Sequence, residues 1–255
     1  MYTLLFQILT LLPIPSPGYG IDQVKSRDTT LNLSKQLIVV VTGGWDSLQG
    51  KLYCFNMRHG KWMLQFTNPV VVGKRGLGIG DGLGSPLSEQ NHSPVKKEGD
   101  LRSPAGIFSI GPAFGYASRK EAGWIRNDYI DANETLICVD DPRSIWYNLL
   151  VNSDSVKQDW SSFEQMHRKD DYYQWGLFIN HNAKSPKPNA GSCIFMHIWK
   201  NDHEGTDGCT AMDKDDMVRL LHWINSGLHP VLIQMPENEY HELASHEGLP
   251  EINFR

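Results

Sequence analysis

The stretch SCIFMHIWKNDHEGTDGCT, residues 192–210, carries the strongest structural and chemical signal in the chain. Its apolar part, Ile194 to Trp199, predicts a buried strand that carries His197 near its end. Residues 200–207 are polar, include a glycine and predict a loop. The loop is short enough to fold Cys209 back onto the strand. We therefore expect the sulfur and the imidazole to lie within hydrogen-bond reach, which is the geometry of a nucleophile and its base.

The segment after Cys209 predicts an amphipathic helix over about Asp213 to Ser226. Asp213 is a candidate N-cap, with Asp216 three residues on, and Gly227 ends the pattern. The predicted core-facing side consists of Met217, Leu220, Leu221 and Ile224. We expect Cys209 just ahead of the helix N-terminus, where amide donors and the positive end of the dipole favour a thiolate. The alternative is a small buried cysteine beside a histidine that is only a satisfied polar group.

Short apolar and alternating runs recur along the rest of the chain and predict a mainly β fold with a few helices. The predicted strands cover residues 36–41, 51–55, 62–66, 69–72, 136–139, 175–179 and 230–235, and another ends the turn-rich segment 97–110. Short strands at this spacing are typical of a β-sandwich or barrel.

Two segments predict departures from this pattern. Residues 152–174 are polar and charged, with loosely spaced aromatic residues, and predict a helical insertion. Residues 73–84 are rich in glycine but match neither a phosphate-binding loop nor a dinucleotide motif, so they predict a flexible loop.

Length and composition fit one globular domain. The chain has 255 residues, of which 40% are hydrophobic, and residues 35–236 show neither repeats nor a linker. Residues 237–255 predict a polar C-terminal tail. The net charge of −5, without a basic run, gives no electrostatic case for binding nucleic acid. No oligomeric state follows from the sequence.

The first 20 residues predict a signal peptide. An apolar stretch of suitable length is followed by prolines and by the small residues of a loose cleavage site. The stretch is too short to span a bilayer, so we expect export to the periplasm or cell envelope without an integral membrane segment. The alternative is a buried N-terminal strand or helix.

The cysteine count predicts little cross-linking. With Cys209 as a free nucleophile, three cysteines remain, so at most one disulfide forms. Buried free thiols are the simplest interpretation of Cys54, Cys138 and Cys193, which all lie in apolar segments. The histidines near Cys209 fit no zinc spacing, and we expect neither a metal nor a cofactor.

Three elements, taken in order, resemble the catalytic domain of the L,D-transpeptidase family, enzymes that cross-link bacterial peptidoglycan. Residues 98–108, EGDLRSPAGIF, resemble the family's strand entry G-D-x-x-T-P-x-G-x-F. His197 matches its strand-end histidine, and Thr206-x-Gly208-Cys209 matches its [S/T]-x-G-C nucleophile motif. The resemblance covers residues 35–236 and implies the family's β-rich fold.

The resemblance also implies thiol-dependent acyl transfer. Cys209, activated by His197, would attack the carbonyl of an L,D-peptide bond in a peptidoglycan stem peptide, and an amine of a second stem would resolve the thioester. A backbone carbonyl after His197 is expected to fix its tautomer. The amides of Gly208 and Cys209 are the expected oxyanion donors. Trp199 and Thr206 are expected to contact the substrate.

Two departures from the family pattern indicate a divergent branch. The family's histidine is usually followed by glycine, whereas Ile198 follows here. Two residues after the cysteine the family usually has a substrate-binding Arg or Asn, but this chain has Ala211. Another group must then help to hold the donor. His181 and Asn182 are the candidates, because their strand precedes the histidine strand and can pair with it.

Two other functions remain open from the sequence. The first is a hydrolase of the same fold, an L,D-carboxypeptidase or an amidase that releases wall-linked groups, in which water resolves the thioester. The second is a non-catalytic wall-binding protein, against which the intact His197 and Cys209 argue.

Overall fold

A computed structural model of the chain describes residues 29–84, 87 and 93–253. The predicted signal peptide, residues 1–20, lies outside these residues. Among the described residues, no helix has both the length and the apolar character needed to cross a bilayer.

The described residues form a mainly β structure with a few helices, as predicted. The strands are β1 Gln36–Thr42, β2 Gln49–Arg58, β3 Lys61–Val71, β4 Leu77–Ile79, β5 Ser103–Gly115, β6 Tyr129–Asp131, β7 Leu136–Val139, β8 Leu150–Asn152, β9 Phe163–Gln165, β10 Trp175–Ile179, β11 Phe195–Ile198, β12 Thr210–Met212 and β13 Val231–Pro236. The helices are α1 Thr29–Leu33, α2 Lys214–Trp223 and α3 Glu237–Glu247, with a 3₁₀ turn at Ser226–Leu228.

The main sheet closes on itself in the manner of a barrel. Its strand order is β10-β11-β12-β3-β2-β1-β13-β5-β4, and β10 also pairs with β5. All seven residues of β1 are buried between β2 and β13, because the strand pairs with both and is covered on both faces. The site strands β11 and β12 are neighbours in this closed sheet, so its closure fixes their positions.

Helix α2 forms where the sequence predicts it. Asp213 caps its N-terminus by accepting a hydrogen bond from the Asp215 amide. Met217, Leu220 and Leu221 are fully buried, and the helix packs on β10 and β11. Burying each of these side chains contributes about 1.5–3 kcal/mol, so the helix supports β11, the strand that carries His197, together with its neighbour β10.

The predicted helical insertion at residues 152–174 is wrong. This segment contains β9, which pairs with β7 in a separate three-stranded sheet of order β8-β7-β9. The apolar residues of the segment do not share one face: Trp160 packs with Ile137 and Val151, whereas Met166 and Tyr173 pack in another cluster. The spacing of the aromatic residues in this segment therefore comes from two separate packing sites and does not reflect the period of a helix.

The glycine-rich loop is packed and not flexible. It contains β4, whose three residues are buried, and β4 pairs in parallel with β5. A Cβ at Gly73 would lie 2.4 Å from the Leu101 carbonyl oxygen, and Gly76 has φ of +80°. Close backbone approach and a left-handed turn require these glycines.

Two further segments differ in detail from the prediction. The strands expected at residues 62–66 and 69–72 form one strand, β3, whose pairing with β2 includes a register shift. The polar segment set apart as a C-terminal tail begins with α3, whose Tyr240 is fully buried and donates to the Pro250 carbonyl.

Candidate active site

The predicted pair of site residues lies on two parallel neighbouring strands. Met196 of β11 is in register with Thr210 of β12. Cys209 directly precedes β12, and its sulfur accepts a hydrogen bond from the Phe195 amide at 3.4 Å. The same sulfur donates to the Cys193 carbonyl at 3.6 Å. Strand pairing therefore brings the cysteine to the beginning of the strand that carries His197.

The expectation that Cys209 stands at a helix N-terminus is wrong. Strand β12 separates it from α2, whose first turn is capped by Asp213. Burial raises the pKa of the Cys209 thiol well above its usual range, and the negative charge of Glu164 raises it further. The Phe195 amide and the Lys96 charge lower it. The thiol is therefore neutral at neutral pH.

His197 is buried and has a defined tautomer. Its Nδ1 donates to the Ile198 carbonyl at 2.8 Å, because a carbonyl oxygen can only accept. The predicted role of a backbone carbonyl in fixing the imidazole is confirmed. Nε2 then carries the lone pair. Burial lowers the pKa of His197 to about 4, although the bond to Ile198 opposes this shift, so the imidazole is neutral and can accept a proton.

The predicted hydrogen bond between His197 and Cys209 is not formed in the described part of the chain. The sulfur instead contacts the backbone of Cys193 and Phe195. The Tyr173 ring packs edge-on against the imidazole, with 5.1 Å between the ring centroids. In unliganded enzymes, catalytic hydrogen bonds are often long or unformed and tighten only when the substrate binds.

His197 and Cys209 line one cleft of about 480 Å³. Three other predicted site residues, Gly208, Trp199 and Thr206, line the same cleft. This volume falls within the usual range for small-molecule and peptide sites.

Thr206 and Ser103 hold the backbone of Cys209. The Thr206 hydroxyl donates to the Cys209 carbonyl at 2.5 Å and accepts from the Gly208 amide at 3.2 Å. The Ser103 hydroxyl also donates to the Cys209 carbonyl, at 2.6 Å, and accepts from the Gly73 amide. The motif Ser and Thr thus orient the Cys209 backbone. The Gly208 amide, expected to be an oxyanion donor, is already bonded to Thr206.

His181 and Asn182 do not line this cleft. His181 Nδ1 accepts from the Asp81 amide at 3.2 Å, and its Nε2 donates to the Ala190 carbonyl at 3.0 Å. The Asn182 side chain bonds to backbone groups of Lys187 and Gly191. Both side chains are buried and use their polar atoms to hold loops together. Strand order correctly places them near β11, but backbone partners engage the polar atoms that a substrate would need.

The cleft is completed by residues that sequence reasoning missed. Glu164 and Arg168 come from the segment that contains β9, and both line the cleft. Glu164 accepts from the Tyr173 hydroxyl at 2.8 Å, and burial raises the pKa of its carboxyl. The Arg168 guanidinium pairs with Asp170 at 2.8 Å and lies 5.1 Å from the Tyr173 ring centroid.

A disulfide links this segment to the residues that contact Cys209. Cys138 of β7 is bonded to Cys193, whose carbonyl accepts from Cys209. The interpretation of Cys138 and Cys193 as free thiols is wrong, whereas Cys54 and Cys209 are free and buried. The single disulfide agrees with the prediction that at most one forms when Cys209 is free. The cysteine pair was the one sequence signal that could have linked the distant segment to the site.

No cluster of three or more His, Cys, Asp or Glu side chains suited to a metal ion occurs in the residues that the structure describes.

Fold and site together define a closed β domain with a cysteine and a histidine in one cleft. The model of the YkuD family, L,D-transpeptidase catalytic domain, matches residues 45–233. This match covers most of the chain, and the protein belongs to that family, whose members are generally cysteine-dependent enzymes. The family suggests L,D-transpeptidase-type chemistry on peptidoglycan.

No curated protein matches the chain. A similar solved structure, "Structure of Bdellovibrio bacteriovorus Bd1075", shares 13% sequence identity and has a TM-score of 0.38. The alignment covers 83% of this chain and 55% of that one, so the chain spans about half the length of that protein.

Proposed function

We propose that this protein is an exported acyltransferase that acts on peptidoglycan stem peptides through a thioester at Cys209. The observation that carries the proposal is the placement of Cys209 and His197 in one cleft, with the lone pair of His197 Nε2 left free by the Nδ1 bond to Ile198. A neutral thiol and a neutral imidazole can react by concerted proton transfer.

In the first half-reaction, His197 Nε2 takes the thiol proton as the sulfur attacks the carbonyl carbon of the donor peptide bond. The new C–S bond forms and the carbonyl π electrons move to oxygen. When this intermediate collapses, the C–N bond breaks and the leaving amine takes the proton from His197. The product is a thioester between Cys209 and the donor stem.

In the second half-reaction, an amine of another stem attacks the thioester carbonyl and gives its proton to His197. The C–S bond breaks and the sulfur recovers the proton. Water in place of the amine gives hydrolysis, which is the carboxypeptidase or amidase outcome. Trp199 and Tyr173 line the cleft and offer apolar walls that limit access of water.

The product assay separates these outcomes. Purified protein is incubated with a disaccharide tetrapeptide, and mass spectrometry distinguishes cross-linked dimer from trimmed monomer. Cys209→Ala should lower turnover by at least about 100-fold while leaving the protein folded, because the thiol is the covalent nucleophile. Cys54→Ala is the matched control, since Cys54 is the other free, buried cysteine and does not line the cleft. Equal activity of folded Cys209→Ala and wild type would reject the proposal.

Export is part of the proposal, and the Cys138–Cys193 disulfide supports it, because disulfides persist in oxidising compartments. Fractionation of the producing cells, with thiol trapping before lysis, tests it. We expect the protein in the periplasm or envelope with this pair oxidised. A cytoplasmic protein with both thiols reduced would contradict export.

A further inference from the structure

A lysine is buried beside the proposed nucleophile. The side chain of Lys96 is only 3% exposed, and it lines the cleft. Lysine is rarely buried unless its charge is paired. Its ammonium donates to Asp100 Oδ1 at 2.6 Å and to the Lys97 carbonyl at 2.8 Å. An ammonium group has three protons, so these two bonds leave one.

The remaining proton has no protein acceptor in the described part of the chain, and the ammonium lies close to the nucleophile motif. A Cβ built on Gly208 would be 3.6 Å from Lys96 Nζ. On its other side the Lys96 stem packs against Gly191, where a Cβ would approach Cε to 2.9 Å. The two glycines therefore leave room for the lysine to reach the backbone next to Cys209.

Asp100 fixes the lysine without closing off its third proton. Asp100 Oδ2 accepts from the Lys97 amide at 2.7 Å, and Oδ1 also accepts from the Arg102 amide at 2.9 Å. Both carboxylate oxygens are thus engaged by the 97–102 turn. This turn leads directly into β5, whose first residue Ser103 holds the Cys209 carbonyl. Lys96 and the nucleophile are therefore held by one continuous segment.

The charges that act on Cys209 are few and of both signs. Glu164 and Asp207 raise its pKa, and Lys96 lowers it. Lys74 is a second lysine in the cleft, but it is half exposed and pairs with Asp207 at 2.7 Å. A buried charge acts through a lower effective dielectric than an exposed one, so Lys96 should have the larger effect.

We propose that Lys96 is a catalytic residue that stabilises negative charge at the Cys209 reaction centre. Its third proton donates a hydrogen bond first to the developing thiolate and then to the oxyanion of the donor carbonyl. There it acts with the Cys209 amide and takes the place of the Gly208 amide, which donates to Thr206. The lysine remains protonated throughout, so the proton and electron transfers of both half-reactions are unchanged. The oxyanion role rests on the proposed function, whereas the effect on the thiol does not.

The first test measures the thiol without peptidoglycan. Alkylation of Cys209 by iodoacetamide is followed from about pH 6 to 10 by peptide mass spectrometry, without reductant. Lys96→Met should slow alkylation about tenfold across this pH range, equivalent to a rise of one unit in the thiol pKa. Lys96→Arg should recover most of the rate because it restores the charge. Lys74→Met is the matched control and should change the rate by less than about threefold, since its charge is exposed.

The second test separates charge from architecture. Asp100→Asn weakens the same ion pair but keeps the Lys96 cation. We therefore expect the Asp100→Asn variant to acylate at least about ten times faster than Lys96→Met. Lys96→Met should acylate a donor stem peptide about 100-fold more slowly than wild type, as expected for loss of an oxyanion donor. Lys96→Met/Asp100→Asn avoids an unpaired buried carboxylate if the single variant does not fold, and it should show the same loss.

Equal losses in folded Lys96→Met and Asp100→Asn would make Lys96 a structural clamp and overturn the proposal. An unchanged alkylation profile in Lys96→Met would overturn it as well. If wild type alkylates normally but never acylates with stem peptide, the proposed function fails. The alkylation comparison between Lys96→Met and Lys96→Arg then decides on its own whether Lys96 acts at Cys209.

Discussion

At the residue scale, the proposed nucleophile and base are both uncharged at neutral pH. Burial raises the pKa of Cys209 and lowers that of His197 to about 4, so a preformed thiolate–imidazolium pair is disfavoured. In many thiol enzymes a cationic neighbour lowers the cysteine pKa enough to form a thiolate. Here Lys96 also lowers the pKa of Cys209, but burial raises it by more. The reactive charge then has to form during the attack, where Lys96 and the backbone around Cys209 can stabilise it.

This arrangement predicts the pH dependence of acylation. His197 is neutral above a pKa of about 4 and cannot accept the thiol proton below it. We expect kcat/KM to be flat between about pH 5 and 8 and to fall below about pH 4, because the free enzyme sets this profile. Pre-steady-state acylation across this range measures it. An acid limb near the unperturbed histidine value of about 6.5 would contradict a neutral, buried His197. A steady rise toward alkaline pH would show instead that the thiol ionises before it attacks.

The sequence predicted that Cys209 and His197 lie in one site, and both line the cleft. Their motif is local and is bounded by a strand and a loop. The sequence also predicted the backbone carbonyl that orients the imidazole. It could not identify Lys96 or Glu164, which come from segments far away in the chain and reach the cleft only through folding. His181 was wrongly predicted to contact the substrate. A polar residue at a strand end can indicate a nearby site, but the sequence does not show which groups its side chain will bond.

At the element scale, long periodic segments were predictable and short ones were not. Helix α2 follows from a capped apolar stripe, and β1 from a continuous apolar run. Strand β12 has three residues, Thr210–Met212, too few to carry a period, yet it moves Cys209 away from the helix N-terminus. In the small sheet, β7 was predicted, but its partners β8 and β9 were missed for the same reason, since they have three residues each.

A disulfide joins this small sheet to Cys193, which precedes β11. Cys138 lies opposite Glu164 in the pairing of β7 with β9, and its bridge to Cys193 closes a loop with a sequence separation of 55. Loop-closure entropy assigns such a bridge about 4 kcal/mol of stability. Cys138→Ala/Cys193→Ala should therefore lower the free energy of unfolding by about 2–5 kcal/mol in urea titrations.

The same variant should also slow acylation of Cys209 while the main sheet stays folded. The reason is that the segment carrying Glu164 and Arg168 loses its covalent link to Cys193. Wild type treated with reductant should behave in the same way, and Cys54→Ala serves as the control for removal of a buried thiol. An unchanged urea midpoint, or full acylation by the folded double variant, would show that the sheet holds its place without the bridge.

At the scale of the whole molecule, the closed sheet depends on pairings between distant segments. Strand β1 pairs in parallel with β13, and β5 pairs with β10 to complete the ring. Local sequence patterns predict such strands but not their partners, because register between distant strands is decided by packing. The β-rich class was therefore predictable, whereas the closure that brings β11 and β12 together was not.

Two buried histidines predict how the whole domain responds to acid. Burial lowers the pKa of His181 and of His197 to about 4. Between about pH 6.5 and 4 the unfolded chain takes up protons at these residues while the folded protein does not, so stability falls as the pH falls through this window and levels off below it. A shift of this size corresponds to on the order of 3 kcal/mol for each histidine.

His181→Gln removes the contribution of His181 to the acid-dependent loss of stability and leaves His197, the proposed base, unchanged. Glutamine can still donate and accept hydrogen bonds toward Ala190 and Asp81 but takes up no proton. Urea unfolding at about pH 7, 6, 5 and 4 should give a shallower loss of stability on acidification for this variant, by up to about half of the histidine contribution. His246→Gln is the control, because His246 is exposed on α3. If wild type and His181→Gln lost stability in parallel from pH 7 to 4, the neutral, buried state of His181 could not be the source of the acid sensitivity.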